Sequence, residues 1–228
     1  HAATTRALPL PSRPTSVRRA PHLVTRIHTA ILLAAGSSRR LQALTADRPK
    51  CLLEVGGKTL FQHQVGALRS NGIDRIVVVT GYRAERLEEA GGASLTYVHN
   101  EVFDKTNSLY SLSLAEHHAR AGFVLMNADV LFHPRLLETL LQSPAPDALL
   151  FEPTEAPGVG LGDEEMKVRV EDGRVAAISK DLGAGEYHGE NLGVLKFSAA
   201  GAAHLFREVT RLVTAGDHNA WAPKAYDS

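Results

Sequence analysis

The chain has 228 residues, 44% of them hydrophobic and 22% charged, and its 25 Lys and Arg are balanced by 25 Asp and Glu. Such a chain can bury roughly 70% of its extended surface, which excludes disorder, collagen-like repeats and a disulfide scaffold. Zero net charge removes the basic excess that nucleic-acid binding wants, no apolar run approaches the roughly 20 residues of a membrane span, and the single cysteine, Cys51, allows neither an intrachain disulfide nor a Cys-based zinc site and suits a reducing, cytoplasmic setting.

No Asp or Glu precedes Asp47, whereas Arg6, Arg13, Arg18, Arg19 and Arg26 stand among Pro9, Pro11, Pro14 and Pro21. The composition predicts a Pro/Arg-rich extension over residues 1–27, and its prolines would break the amphipathic helix of a transit peptide. From residue 28 strand-length apolar runs alternate with stretches of helical period. Ile31 to Ala35 reads as a strand, Thr59 to Ser70 as a helix stopped by Asn71-Gly72, and Ile76 to Thr80 as a buried strand. Leu95 to Val98, Phe123 to Met126 and Ala148 to Phe151 repeat the strand pattern, with helices expected at Leu109 to Ala119 and Pro134 to Leu141. The alternation predicts a doubly wound α/β sheet. Then the pattern changes: Met166 to Val170, Asp172-Gly173 and Val175 to Ile178 read as a hairpin, followed by strand Leu192 to Phe197 and helix Ala199 to Val213.

The stretch Ile31-Leu-Leu-Ala-Ala-Gly-Ser-Ser-Arg-Arg-Leu41, with Arg48-Pro-Lys50 beyond it, is the most informative. A small-residue loop leaving a parallel strand lets backbone N–H groups approach phosphate oxygens, and basic side chains nearby can neutralise a polyphosphate. It is neither a Walker loop nor a dinucleotide fingerprint. From these residues alone, a triphosphate cradle and a plain βα turn with exposed arginines are both open. Asp129 ends an apolar run, so its carboxylate should emerge at the carboxyl end of a central strand, where open α/β sheets bind ligands; a cap before Pro134 is the other reading. Asn107 and Ser108 open a helix and would cap it, read a base or ribose, or do both. His117 and His118 read as surface or structural residues pointing apart on a helix.

Leu33-Ala-Ala-Gly36 with Arg40 and Pro49-Lys50 resembles the signature of nucleotidyltransferases that make nucleoside-diphosphate sugars and cytidine-diphosphate alcohols, which usually have Gly where Ser38 stands. Lys50-Cys-Leu-Leu-Glu-Val-Gly-Gly-Lys-Thr-Leu60, Val79-Thr-Gly-Tyr82, Asn107-Ser-Leu-Tyr-Ser-Leu112, Asn127-Ala-Asp-Val130 and Asp163-Glu-Glu-Met-Lys-Val168 follow in the order seen in bacterial phosphocholine cytidylyltransferases and their phosphonate-using cousins. The resemblance implies a mostly parallel, Rossmann-like nucleotidyltransferase fold with a small β-rich acceptor region, divided into a nucleotide-binding half at 28–150 and an acceptor-binding half at 151–228. It implies a cytidylyltransferase using Mg²⁺, CTP and a small phosphate or phosphonate such as phosphocholine, 2-aminoethylphosphonate or phosphonoformate, with no nucleic-acid or membrane partner.

An anionic acceptor needs no strong base, so catalysis there is positioning and charge neutralisation. By the resemblance, Arg40 and Lys50 would hold the phosphates and stabilise departing pyrophosphate, and Asp129 would bind the metal. Leu33, Ala34, Ala35, Gly36, Ser37, Ser38, Gly81, Asn107, Ser108 and Ser111 would line the nucleotide pocket. Lys180 would steer the acceptor anion, with Glu190, Asn191 and Tyr110 beside it; a water-exposed strand entry is the alternative for Glu190 and Asn191. Tyr110, Tyr187 and Trp221 could offer faces to a quaternary ammonium, although an isolated Trp near a chain end more often serves packing. The family places a second metal carboxylate beyond a C-terminal helix, and no such motif precedes Ser228. A longer chain, a fused C-terminal domain or partner such as a second copy, and loss of that ligand are the alternatives. A hexose 1-phosphate transferase would expect a longer region after Phe151. A non-catalytic subunit of the same fold would account for Ser38 and the missing carboxylate, but not for Arg40, Lys50, Asp129 and Lys180 together.

Overall fold

Strand β1 (Thr29–Leu33) sends alternate side chains into two apolar layers, with Ala30 and Leu32 in one and Ile31 and Leu33 in the other. A strand buried on both faces belongs to a sheet covered by helices on each side. The computed structural model describes residues 26–37, 42–156 and 160–226. Residues 1–25 of the expected extension, together with Ser38 and Arg40, lie outside the described residues.

After β1 come the short helix α1 (Gln42–Thr45), a 3₁₀ turn at Lys50–Leu52 and the small hairpin β2 (Glu54–Val55) and β3 (Lys58–Thr59). There follow α2 (Leu60–Ser70), β4 (Arg75–Thr80), α3 (Ala84–Gly91), β5 (Thr96–His99), α4 (Ser108–Ser113), β6 (Phe123–Asn127), α5 (Pro134–Gln142) and β7 (Ala148–Pro153). The chain continues through β8 (Lys167–Glu171), β9 (Arg174–Ser179), β10 (Gly189–Phe197), α6 (Ala199–Thr214) and α7 (Pro223–Tyr226). The main sheet runs β5-β4-β1-β6-β10-β8-β9, with β7 also paired to β10. Its first four strands are parallel, and β10 runs antiparallel to β6, β7 and β8. The fold is the expected mixed α/β sheet with a parallel centre. The chain visits β4 on one side of β1 and later β6 on the other, so β1 is the switch point beyond whose carboxyl end such sheets bind ligands.

One layer packs Phe61 and Leu68 of α2, Leu87 of α3 and Leu137 and Leu140 of α5 against Leu32, Ile76 and Val78. The other packs α4 and α6 onto Ile31, Val77, Phe123 and Phe197; there Phe123 stacks on Phe197 at 5.3 Å between ring centroids. Thr59 caps α2 with a reciprocal Thr59–Gln62 capping box. Asp172 and Gly173 both hold positive φ (49° and 73°), the requirement of the tight hairpin turn between β8 and β9.

Several expectations need correction. Strand β1 ends at Leu33, so Ala34 and Ala35 begin the loop. The helix expected over Leu109 to Ala119 stops at Ser113 and gives way to a 3₁₀ turn at Glu116–His118. Ser113 Oγ donates back to the Tyr110 carbonyl at 2.6 Å, while Leu109, Leu112, Ala115 and Ala119 all stay buried. The apolar spacing is therefore satisfied although the backbone changes type. In that turn His117 and His118 lie together, ring centroids 3.7 Å apart, and do not point away from each other. Strand β10 begins at Gly189, three residues before the expected start, and carries a bulge between Asn191 and Leu195.

Gly193 sits in that bulge at φ 66°, and a Cβ there would collide with the side chain of Asn127 at the end of β6. Gly193→Ala is expected to cost about 1–3 kcal/mol, read as a lower urea midpoint with an unchanged slope.

Candidate active site

A cleft of about 630 Å³ opens where β1 and β6 end, within the size range of small-molecule sites. Leu33, Ala34, Ala35 and Gly36 line one part of it. Their path is pinned by the neighbouring strand: the Ala34 N–H donates to the Val79 carbonyl at 2.9 Å, and the Tyr82 N–H to the Ala35 carbonyl at 3.1 Å. Gly81 packs behind this loop and does not line the cleft; a Cβ there would lie 2.7 Å from both the Ala35 carbonyl oxygen and Phe103 Cβ. Ser37 does not line the cleft either, although Phe103 and Thr106 do.

Pro49 sets the extended entry to the 3₁₀ turn that carries Lys50 and Cys51. Lys50 Nζ meets Asp129 Oδ2 at 3.0 Å, with the two side chains 36% and 47% exposed. Asp129 follows β6 on a loop held from beneath by helix α2: Gln64, 1% exposed, donates through Nε2 to the carbonyls of Asn127 and Val130 at 2.9 and 2.8 Å. Burial pushes the Cys51 thiol up to about 12, with the negative charge of Asp129 adding to the effect and a backbone hydrogen bond opposing it.

The N-terminus of α4 forms another wall, through Asn107, Ser108 and Ser111. Asn107 caps the helix by accepting from the Ser108 N–H at 2.8 Å, so the capping reading holds and leaves the cleft-facing role open. Beneath it the buried Asn100 donates to Thr106 Oγ1 and Ser111 Oγ at 3.0 and 3.1 Å. Residues 218–222 are laced to this end: the Asn107 and Leu109 N–H groups donate to the His218 and Ala220 carbonyls, and the Ala222 N–H donates to Ser108 Oγ at 2.8 Å.

The far end is lined by Glu164, Met166, Lys180, Glu190, Asn191, Leu192 and Trp221. Lys180 Nζ pairs with Glu164 at 3.2 Å. The cleft thus gathers Lys50, Asp129, Lys180, Glu190 and Asn191 from distant parts of the chain. Tyr110 is not among its lining residues; its ring packs on His218 at 5.3 Å. Tyr187 is 3% exposed and bonded to Leu161, so it offers no open face. Trp221, for which an aromatic face and packing were both open, is 48% exposed on the cleft. Gln64 did not stand out as a site residue, although a glutamine on the apolar stripe Leu60, Phe61, Ala67, Leu68 was a legible signal that something polar lies behind α2.

Among the described residues no three His, Cys, Asp or Glu side chains converge as a ready metal cage. Asp129 still fits Mg²⁺, which takes one or two carboxylates and completes its shell with phosphate oxygens and water. No helix of the described residues is long and apolar enough to cross a membrane. Glu190 has its carboxyl raised, first by burial and then by the negative charge of Glu165. A raised carboxyl favours the folded state below the ordinary glutamate range and loses that contribution as pH climbs through the shifted value. Glu190→Gln should therefore melt like the parent near pH 4 and at a higher temperature near pH 8; equal melting at both would remove the burial argument.

Residues 30–161 match the MobA-like NTP transferase domain family. The chain is 34% identical over 125 residues to the CMP-5'-(3-aminopropyl)phosphonate synthase of Streptomyces rubellomurinus, an alignment covering 53% of this chain and 20% of that protein. It is 35% identical over 112 residues to a UTP–glucose-1-phosphate uridylyltransferase of Haloferax volcanii, covering 47% and 45%. The chain thus spans less than half the length of either relative. The CTP:phosphocholine cytidylyltransferase of Streptococcus pneumoniae shares its fold, with a TM-score of 0.68 at 23% identity over 88% of this chain and 85% of that one. The family match covers more than half of the chain and includes β1, β4, β6, Lys50 and Asp129, and on that ground the chain belongs to the MobA-like NTP transferase domain family.

Proposed function

We propose that the chain is a Mg²⁺-dependent cytidylyltransferase that moves CMP from CTP to an oxygen of a small phosphate or phosphonate and releases pyrophosphate. The observation that carries this reading is one cleft holding Lys50 against Asp129 at the strand ends and Lys180 at its far end. A cation for the triphosphate, a carboxylate for a metal and a second cation for an anionic acceptor are the groups such a transfer needs. The phosphonate CMP synthase supports the choice of CTP, and the fold shared with a phosphocholine cytidylyltransferase is consistent with it. Phosphocholine, 2-aminoethylphosphonate and phosphonoformate are the acceptor types proposed. The proposed division keeps residues 28–150 for the nucleotide and most of 151–228 for the acceptor.

In this scheme an acceptor oxygen attacks the α-phosphorus in line, the new O–P bond forms as the bond to the β-phosphate's bridging oxygen breaks, and pyrophosphate carries the electron pair away. The backbone of Ala34 to Gly36 would cradle the phosphates, and Asn107, Ser108 and Ser111 would face base and ribose. Lys50 would turn from Asp129 to the phosphate oxygens and stabilise the leaving group, aided by Arg40, whose role rests on the sequence motif. Asp129 would hold Mg²⁺, which would supply further charge neutralisation. Lys180 would hold the acceptor anion.

A second reading, a uridylyltransferase acting on a hexose 1-phosphate, is favoured by the Haloferax relative. Pyrophosphate release from each of the four triphosphates with Mg²⁺, crossed against phosphocholine, 2-aminoethylphosphonate, phosphonoformate and glucose 1-phosphate, separates the two. Release with CTP and a non-sugar acceptor is expected; release with UTP and glucose 1-phosphate would install the second reading. Silence across the grid from folded protein would overturn both in favour of a non-catalytic subunit. Asp129→Ala should lower kcat by about 10²–10³, and Lys180→Ala should raise the acceptor KM by about tenfold or more with the CTP KM unchanged.

A further inference from the structure

Trp221 is the chain's single tryptophan, and nearly half of its surface is open on the cleft. What it touches accounts for its place. Lys180 Nζ lies 5.0 Å from the centre of its ring, inside the range of a cation–π contact. The root of Lys180 is fixed independently: its backbone carbonyl accepts from Lys167 Nζ at 2.8 Å, and that ammonium is buried against the Tyr187 ring at 5.6 Å. The tip of Lys180 is shared between the indole face and Glu164. These two partners differ in kind. A carboxylate neutralises the ammonium it holds, whereas an aromatic face orients an ammonium and leaves its charge available. Glu164 is also the more easily released, because its side chain is 72% exposed and an exposed pair is weak.

We propose that Trp221 is a positioning residue for the acceptor: its ring seats the Lys180 ammonium in the cleft, and an incoming phosphate or phosphonate replaces Glu164 as counter-ion while the ring contact persists. The inference rests on Lys180 as the acceptor's cation. The indole is itself well placed to keep that seat, since the strap of residues 218–222 that carries it is hydrogen-bonded to the N-terminus of α4.

One test needs no turnover. Trp221 emission in the full chain, titrated with methylphosphonate as a minimal anion, should change saturably. The midpoint should weaken about tenfold or vanish in Lys180→Ala and tighten about two- to fivefold in Glu164→Gln. A flat titration of the parent protein would overturn the proposal, as would a midpoint untouched by both substitutions. The kinetic test uses whichever acceptor supports pyrophosphate release. Trp221→Ala should raise the acceptor KM about two- to fivefold at constant kcat and CTP KM, Trp221→Phe should restore it, and Trp221→Ala should add nothing in a Lys180→Ala background. If Lys180→Ala leaves the acceptor KM unchanged, the reading of Lys180 fails. If Lys180→Ala raises it and Trp221→Ala does not, the seat alone fails.

Discussion

A parallel strand covered by helices on both faces has nowhere along its length to display a polar side chain. β1 and β6 obey that constraint from Ala30 to Leu32 and from Phe123 to Met126, all essentially buried, so chemistry can appear only where they end. Everything at the cleft follows from it. Asn127 and Asp129 at the end of β6 and Gly36 just beyond β1 are exposed, and they emerge at the same edge because β1 and β6 are parallel neighbours in register from Ala30 and Val124 onward. The loop bearing Asp129 is then held by Gln64, a buried polar residue in the helix interface whose amide nitrogen donates to two backbone carbonyls of that loop.

The two lysines that line the cleft are each already paired with a carboxylate. Lys50 faces Asp129 and Lys180 faces Glu164, each pair partly in water. Ion pairs in that setting contribute about 0–1 kcal/mol, too little to resist exchange for a bound phosphate or metal. The site thus keeps its cations oriented in the absence of ligand without holding them so firmly that binding must overcome a buried salt bridge.

Much of the fold was legible because period and punctuation agreed. α2 shows its apolar stripe between Thr59 and Asn71-Gly72; α5 opens on Pro134; the β8–β9 hairpin turns on Asp172-Gly173. Where the two signals were absent, so was the reading. α3 buries only Leu87 and carries no stripe to detect, and the short β2–β3 hairpin exposes most of its residues. α4 misled because its buried positions continue at helical spacing past the end of the helix. In the cleft, Lys50, Asp129 and Lys180 were singled out by motif, and the fold brings them to one place. Tyr110 lies next to the lining Ser111 and two residues from the lining Ser108, but helical geometry turns neighbours away from each other, and its ring went to His218. Gly81 was singled out for the nucleotide pocket, and the fold places it after β4, where it makes room behind Ala35. Trp221 could not be placed from sequence, because its position depends on hydrogen bonds between the 218–222 strap and a helix more than a hundred residues earlier.

Cys51 shares its turn with Lys50 and is 3% exposed. With its thiol pushed up to about 12, almost none of it is thiolate at neutral pH, and thiolate is the form that oxidants, alkylators and soft metals attack. The chain therefore places its sole sulfhydryl directly beside Lys50, the lysine proposed to hold the triphosphate, and yet makes it chemically quiet. Any modification of that sulfur would report the opening of the Lys50–Leu52 turn, and its rate would measure how often the floor of the cleft comes apart.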